Sequence, residues 1–170
     1  MLFRSIRKGV TSAEQIDGGK KAVAAGFQLS EYWMPDLGGR ERWRQHAENT
    51  ARVLNEISPN YIRSRPFVPR QETEIFEDYA QGRLHISSPH ERLEELHVMI
   101  KNLNVTSRVC FDHNMNSWTN KQGGLLFSQD YEGYKFPEEK ALVLGLIKEG
   151  LAVDESRHID IKELIALGSL

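Results

Sequence analysis

Cysteine is almost missing from this sequence: Cys110 is the only one in 170 residues. A single thiol excludes an internal disulfide framework and any iron–sulfur cluster held by three or four thiolates of this chain. It fits a reducing, cytoplasmic compartment. Long apolar runs are missing too. The opening stretch MLFRSIRKGV sets Arg4, Arg7 and Lys8 among too few apolar residues for a signal-peptide core, and no run approaches the roughly 20 residues of a membrane span. The third absence is charge of one sign. Lys+Arg 22 against Asp+Glu 24 leave a formal net charge of -2, so no field argues for nucleic acid or an anionic membrane as a partner.

What is present suffices for a folded unit, because 39% of the residues are hydrophobic and can bury a core. Thr11 and Ser12 precede Glu14 and Gln15 at capping-box spacing, and Ile16, Val23 and Phe27 recur at helical intervals, which predicts a helix over 12–25. Residues 27–34 alternate and are rich in aromatics, a strand closed by Pro35 and the loop Asp36-Leu37-Gly38-Gly39. From Glu41 to Ile57, Trp43, Ala47, Thr50, Ala51, Leu54 and Ile57 trace one helical face, with Arg42, Arg44, Glu48 and Arg52 on the wet side. A second strand spans 61–68 and sets Arg63 and Arg65 on one face.

Further along, a short helix is expected near Glu72 to Ala80. Ser88, Pro89 and Glu91 then mark the N-cap, N1 and N3 of a helix carried by Leu93, Leu96, Ile100 and Leu103. Residues 106–111 read as a third strand and 114–136 as a long irregular segment. Pro137 opens a helix running to about Leu151, with Leu142, Val143, Leu146 and Ile147 expected on its buried side, and 161–167 form one more. Strands separated by helices of this length predict parallel pairing through right-handed crossovers.

The order and spacing of several runs resemble the middle and end of the catalytic barrel of radical S-adenosylmethionine (SAM) enzymes. These runs are residues 7–11 (RKGVT), 31–41 (EYWMPDLGGRE), 51–57 (ARVLNEI) with 61–66 (YIRSRP), 82–103, and Asp112-His113-Asn114 followed by the proline-led helix. The resemblance spans roughly residues 5–155. It implies an α/β fold, a partial (β/α) barrel with parallel strands, crossover helices and a helical C-terminus. Residues 1–111 would be the barrel part and 112–170 an irregular segment with a helical extension. The family's Cys-x3-Cys-x2-Cys loop, on its first strand, has no counterpart here. The expectation is a C-terminal half that starts in the helix after the fourth strand, inert in radical chemistry by itself. The missing N-terminal half, or self-association through an open sheet edge, is its expected partner.

The resemblance also implies cofactors and sites. The intact enzyme would use SAM and a [4Fe-4S] cluster, the latter not bound by this chain. Glu31 and Tyr32 correspond to positions that hold a polar group against the ribose, or Glu31 is a plain exposed strand residue. Met34 touches adenine or packs in the core, and Gly38 and Gly39 allow close ligand approach or simply a tight turn. Lys8 matches a basic residue for the SAM carboxylate. Arg63 and Arg65 bind substrate or form a salt-bridged rim, and Asp112 and His113 sit at a strand's carboxyl end, where barrel enzymes keep functional groups. No metal ligands and no catalytic residue are assigned. Cys110 reads as a small buried hydrophobe, and Glu94-Glu95-Leu96-His97 as a solvated helix face. Two other classes remain open: a phosphate- or nucleotide-binding protein using the Asp36–Gly39 loop, though it lacks G-x-G-x-x-G and Gly-Lys-Ser/Thr, and a non-catalytic interaction module.

Overall fold

The computed structural model describes residues 9–166, except 115 and 117. The chain runs α1 (Ser12–Ala24), β1 (Ser30–Trp33), α2 (Gly39–Ile57), β2 (Tyr61–Ser64), α3 (Glu74–Ala80), α4 (Pro89–Asn102), β3 (Arg108–Cys110), β4 (Tyr134–Lys135), α5 (Lys140–Leu151), a 3-10 turn (Glu155–Arg157) and α6 (Ile161–Ala166). The caps written in the sequence form. Thr11 and Glu14 make a reciprocal capping box at α1, and Ser88 and Glu91 make another at α4 with Pro89 in its first turn.

The four strands form one open sheet in the order β1-β2-β3-β4. β1 pairs with β2 and β2 with β3 in parallel, in registers such as Glu31 opposite Ile62 and Ile62 opposite Val109. The expected parallel crossovers are therefore present. β4 is added antiparallel on β3 from within the segment expected to be irregular, with Val109 opposite Tyr134. The architecture is a mixed α/β layer in which β1 is an edge.

α2 packs on α4, α4 on α5 and α1 on α2. The main core gathers Ala47, Ala51 and Leu54 of α2, Leu93, Leu96 and Met99 of α4, Val143 and Ile147 of α5, and the stacked rings of Phe111 and Phe127. A smaller apolar cluster around Phe67, Ile86 and Ile161 lies apart from it, with Met34, Leu37 and Val68 packed against it.

Three expectations need correction. Glu95 is not on a solvated face; it is fully buried. Leu142 is not on the buried side of α5 but 51% exposed, because Val143 and Ile147 already fill the contact with α4 and Leu142 falls outside their stripe. Phe27 lies beyond the end of α1 and is 70% exposed, so it does not continue that helix's apolar face.

The two leucines separate core from surface in a measurable way. Leu96→Ala is expected to cost about 2–5 kcal/mol by lost transfer energy and a residual cavity, whereas Leu142→Ala should stay within roughly 0.5 kcal/mol. Urea unfolding of both variants reads the difference directly.

Candidate functional site

The carboxyl ends of β1 and β2 open into a groove of about 870 Å³. Tyr32, Trp33 and Met34 enter it from β1 and its exit, Arg65 and Phe67 from the segment after β2, and His113 from the segment after β3. One turn of α2 after another supplies His46, Thr50, Val53 and Leu54. Side chains gather here because each parallel strand delivers its following loop to the same edge of the sheet.

A buried polar network fixes the groove's inner wall. Glu95, on α4, accepts the backbone N–H of Asp36 at Oε2 (2.6 Å) and faces Nδ1 of His46 at Oε1 (2.5 Å). Asp36, in the loop between β1 and α2, accepts the backbone N–H of Ser87 at both carboxylate oxygens (3.1 Å each). Arg92, one turn earlier on α4, supplies the countercharge: burial pulls the pKa of its guanidinium down, and Asp36 and then Glu95 oppose that pull. The guanidinium also lies over the Trp118 ring, 5.0 Å from its centroid, but Nε and Nη2 have no hydrogen-bond partner among the described residues. Four chain segments are thus tied together by two carboxylates, Glu95 and Asp36. Isolated buried charges cost several kcal/mol each, and the opposite charges of Arg92 and the two acids offset part of that cost.

His46 is the member that reaches the groove. Its ring stacks near Trp33 (centroids 6.3 Å apart, planes 29° apart), and with Nδ1 engaged by Glu95 the ring's remaining proton site is Nε2. Trp33 is 3% exposed, and its indole N–H has no acceptor among the described residues. An orphaned buried donor of this sort costs about 1–3 kcal/mol.

The residues singled out from the sequence divide into three groups. Tyr32, Met34, Arg65 and His113 all line the groove, so positions assigned to cofactor and to substrate meet in one space. Burial first, and then the nearby Arg65 guanidinium, push the His113 imidazole below its ordinary pKa. Glu31, Gly38, Gly39, Arg63 and Asp112 are elsewhere. Glu31 accepts from Gln15 Nε2 (3.2 Å). Gly38 and Gly39 form the tight turn into α2: a Cβ on Gly38 would sit 2.9 Å from the His46 Cβ, and Gly39 has φ 62 with Leu84 at 2.9 Å from its would-be Cβ. Arg63 is 4% exposed, donates to Asp112 Oδ2 (2.8 Å) and the Tyr131 carbonyl (3.2 Å), and lies under the Tyr131 ring. Arg63 and Arg65 do not share a surface: Arg63 is buried against Asp112 and the Tyr131 carbonyl, whereas Arg65 is exposed and lines the groove. Lys8 lies outside the described residues.

Cys110 is buried as expected, with burial pushing its thiol up to about 11. Among the described residues no group of three or more His, Cys, Asp or Glu side chains could hold a metal ion, and no helix is long and apolar enough to cross a membrane.

His46 and Glu95 were the functional candidates that residue spacing left out. The signal was available: His46 falls between Trp43 and Thr50 on the apolar stripe of α2, and Glu95 sits beside Leu96 on the stripe of α4. A charged residue at an apolar periodic position marks either a paired core group or a site.

Asp36 makes the network pH-sensitive. Burial raises its carboxyl from 3.8 to about 6, against the opposing pull of Ser87 and Arg92. The folded state therefore holds a proton that the unfolded chain has lost between these two values, and stability falls as pH rises through that window, by on the order of 3 kcal/mol. Asn tolerates the left-handed backbone at this position (φ 72) and still accepts from Ser87. Subtracting the Asp36→Asn stability curve from that of the parent between pH 4 and 7 should isolate this decline, and a flat difference would contradict it.

No protein-family model, curated protein or solved structure matches the chain.

Proposed function

We propose that this chain is the ligand-holding part of a SAM-dependent radical enzyme barrel, and that the groove at the carboxyl ends of β1 and β2 is where it meets its ligands. The single observation that carries this reading is the convergence in that groove of Tyr32, Met34, Arg65 and His113, drawn from three successive strand ends. Functional groups of β/α proteins collect at that edge of the sheet.

The open side of β1 supports a barrel portion completed by further β/α units. β1 is an edge strand, Tyr32 on it is 60% exposed and Phe27 just before it 70%. A parallel edge that no other described strand pairs with, and that has exposed aromatics beside it, is a surface for further strand pairing, either with an N-terminal half or with a second copy. The described residues do not fit an iron–sulfur cluster, since Cys110 is the sole cysteine and its thiol is buried and held protonated, so no radical step is derived for this chain. Tyr32 and Met34 offer flat, polarizable surface for a purine, and Arg65 a guanidinium for a carboxylate.

The phosphate-loop alternative is less well supported. Within the turn, the N–H groups of Asp36, Leu37, Gly39 and Arg40 are already given to Glu95, Met34, Asp36 and His85, and the buried carboxylates of Asp36 and Glu95 lie beside it. A phosphate would find few free donors and adverse charge.

S-adenosylhomocysteine tests the reading without needing a cluster. Calorimetric titration should show saturable binding to the full chain, weakened about tenfold or more by Tyr32→Ala together with Met34→Ala. Absence of binding to folded protein, or binding indifferent to both substitutions, would overturn it.

A further inference from the structure

The charge of the groove is one-sided. The chain has Asp+Glu 24, yet none of the residues lining the groove is acidic, while Arg52, Arg65 and Arg70 do line it together with His46 and His113. Several basic side chains elsewhere are paired with a carboxylate: Arg40 with Glu91, Arg63 with Asp112, Arg83 with Asp78, Arg108 with Glu132. Arg65 makes no ion pair among the described residues, and its field reaches His113 across the groove. An unpaired guanidinium beside a concave surface is a fork of donors held open for an anion.

The rest of the lining is apolar. Met34, Leu37, Phe67, Val68 and Ile75 belong to the smaller apolar cluster and present one wall, and Val53 and Leu54 of α2 add to the other. Trp33 closes the inner end with its unpartnered indole N–H, and His46, held in orientation by Glu95, lies beside it. At about 870 Å³ the groove has the size of sites that enclose small organic molecules.

We infer that the groove binds a small organic anion, an apolar or aromatic body carrying a carboxylate or phosphate that the Arg65 guanidinium receives. This rests on the reading of the groove as the ligand site and names the chemical class of the substrate it would take. SAM itself carries a sulfonium and an ammonium, so a lining without acids favours the anionic reaction partner over the cationic end of SAM.

A matched series of probes tests it on the full chain: 4-phenylbutyrate and 4-phenylbutyl phosphate as anions, 4-phenylbutanol as the neutral form and 4-phenylbutylammonium as the cation, each titrated calorimetrically. At least one anion is expected to bind tenfold or more tightly than the neutral and cationic forms, and the two anions distinguish carboxylate from phosphate. Arg65→Ala should abolish that preference and Arg65→Lys restore part of it, since an ammonium keeps the charge without the fork. Raising salt should weaken the anion more than the alcohol. Equal binding of cation and anion, an unchanged preference in Arg65→Ala, or no binding of any probe to folded protein would each overturn the inference. Binding of S-adenosylhomocysteine without anion preference would overturn this inference alone. An Arg65-dependent anion preference without S-adenosylhomocysteine binding would overturn the SAM reading alone.

Discussion

One buried carboxylate sets the geometry on which the groove depends. Glu95 is fully buried, and it holds the backbone of the β1–α2 loop through Asp36 and the imidazole of His46 through Nδ1. The loop in turn holds the segment before α4 through Ser87, and the Arg92 guanidinium balances the two acids. Removing one partner from such a group strands a charge in the core, which typically costs about 3–5 kcal/mol. The wall carrying His46 and Trp33 is therefore fixed by electrostatics, while the opposite wall, built from Met34, Phe67 and Val68, is fixed by apolar packing.

This division explains how the two ends of the site differ. The inner end is tied to the core of α2 and α4 and has little freedom to move. Its polar groups, His46 Nε2 and the Trp33 indole N–H, are oriented before any ligand arrives, and such preorganisation lowers the entropic cost of binding. The outer end carries Arg65, just past the end of β2, and His113, past the end of β3, where a long exposed side chain adapts to the ligand's charge. β1 connects the two, since its residues form both the edge of the sheet and the floor of the groove.

Much of the fold was legible in the sequence because its signals are local. The capping boxes at Thr11 and Ser88, the stripe from Ala47 to Ile57 and the alternation of strands with helices each follow from a few neighbouring residues, and the parallel order of β1, β2 and β3 follows from the crossover rule. β4 was not legible, because two residues in a polar segment carry no periodicity and their pairing with β3 is a long-range event. The site was legible in part for the same reason. Strand ends such as Tyr32, Arg65 and His113 announce themselves by position, but that Arg63 is taken up by Asp112 and the Tyr131 carbonyl while Arg65 is left to the groove depends on long-range contacts. Glu95 was hidden by its sequence: Glu94-Glu95 reads as surface until α2 and the β1–α2 loop are seen to close over one of the pair.

The most direct measurement is of the indole N–H resonances of the three tryptophans by proton–nitrogen correlation NMR while 4-phenylbutyrate is added. Trp118 already donates to the Pro89 carbonyl (3.1 Å), and Trp43 lies on α2 without lining the groove. If the groove floor is the ligand site, the Trp33 signal alone should shift in a saturable way with 4-phenylbutyrate or, added in its place, 4-phenylbutyl phosphate, and the shift should vanish in Arg65→Ala. A Trp33 signal stationary with both anions, or a shift confined to Trp43 or Trp118, would contradict the placement of the site at the carboxyl ends of β1 and β2.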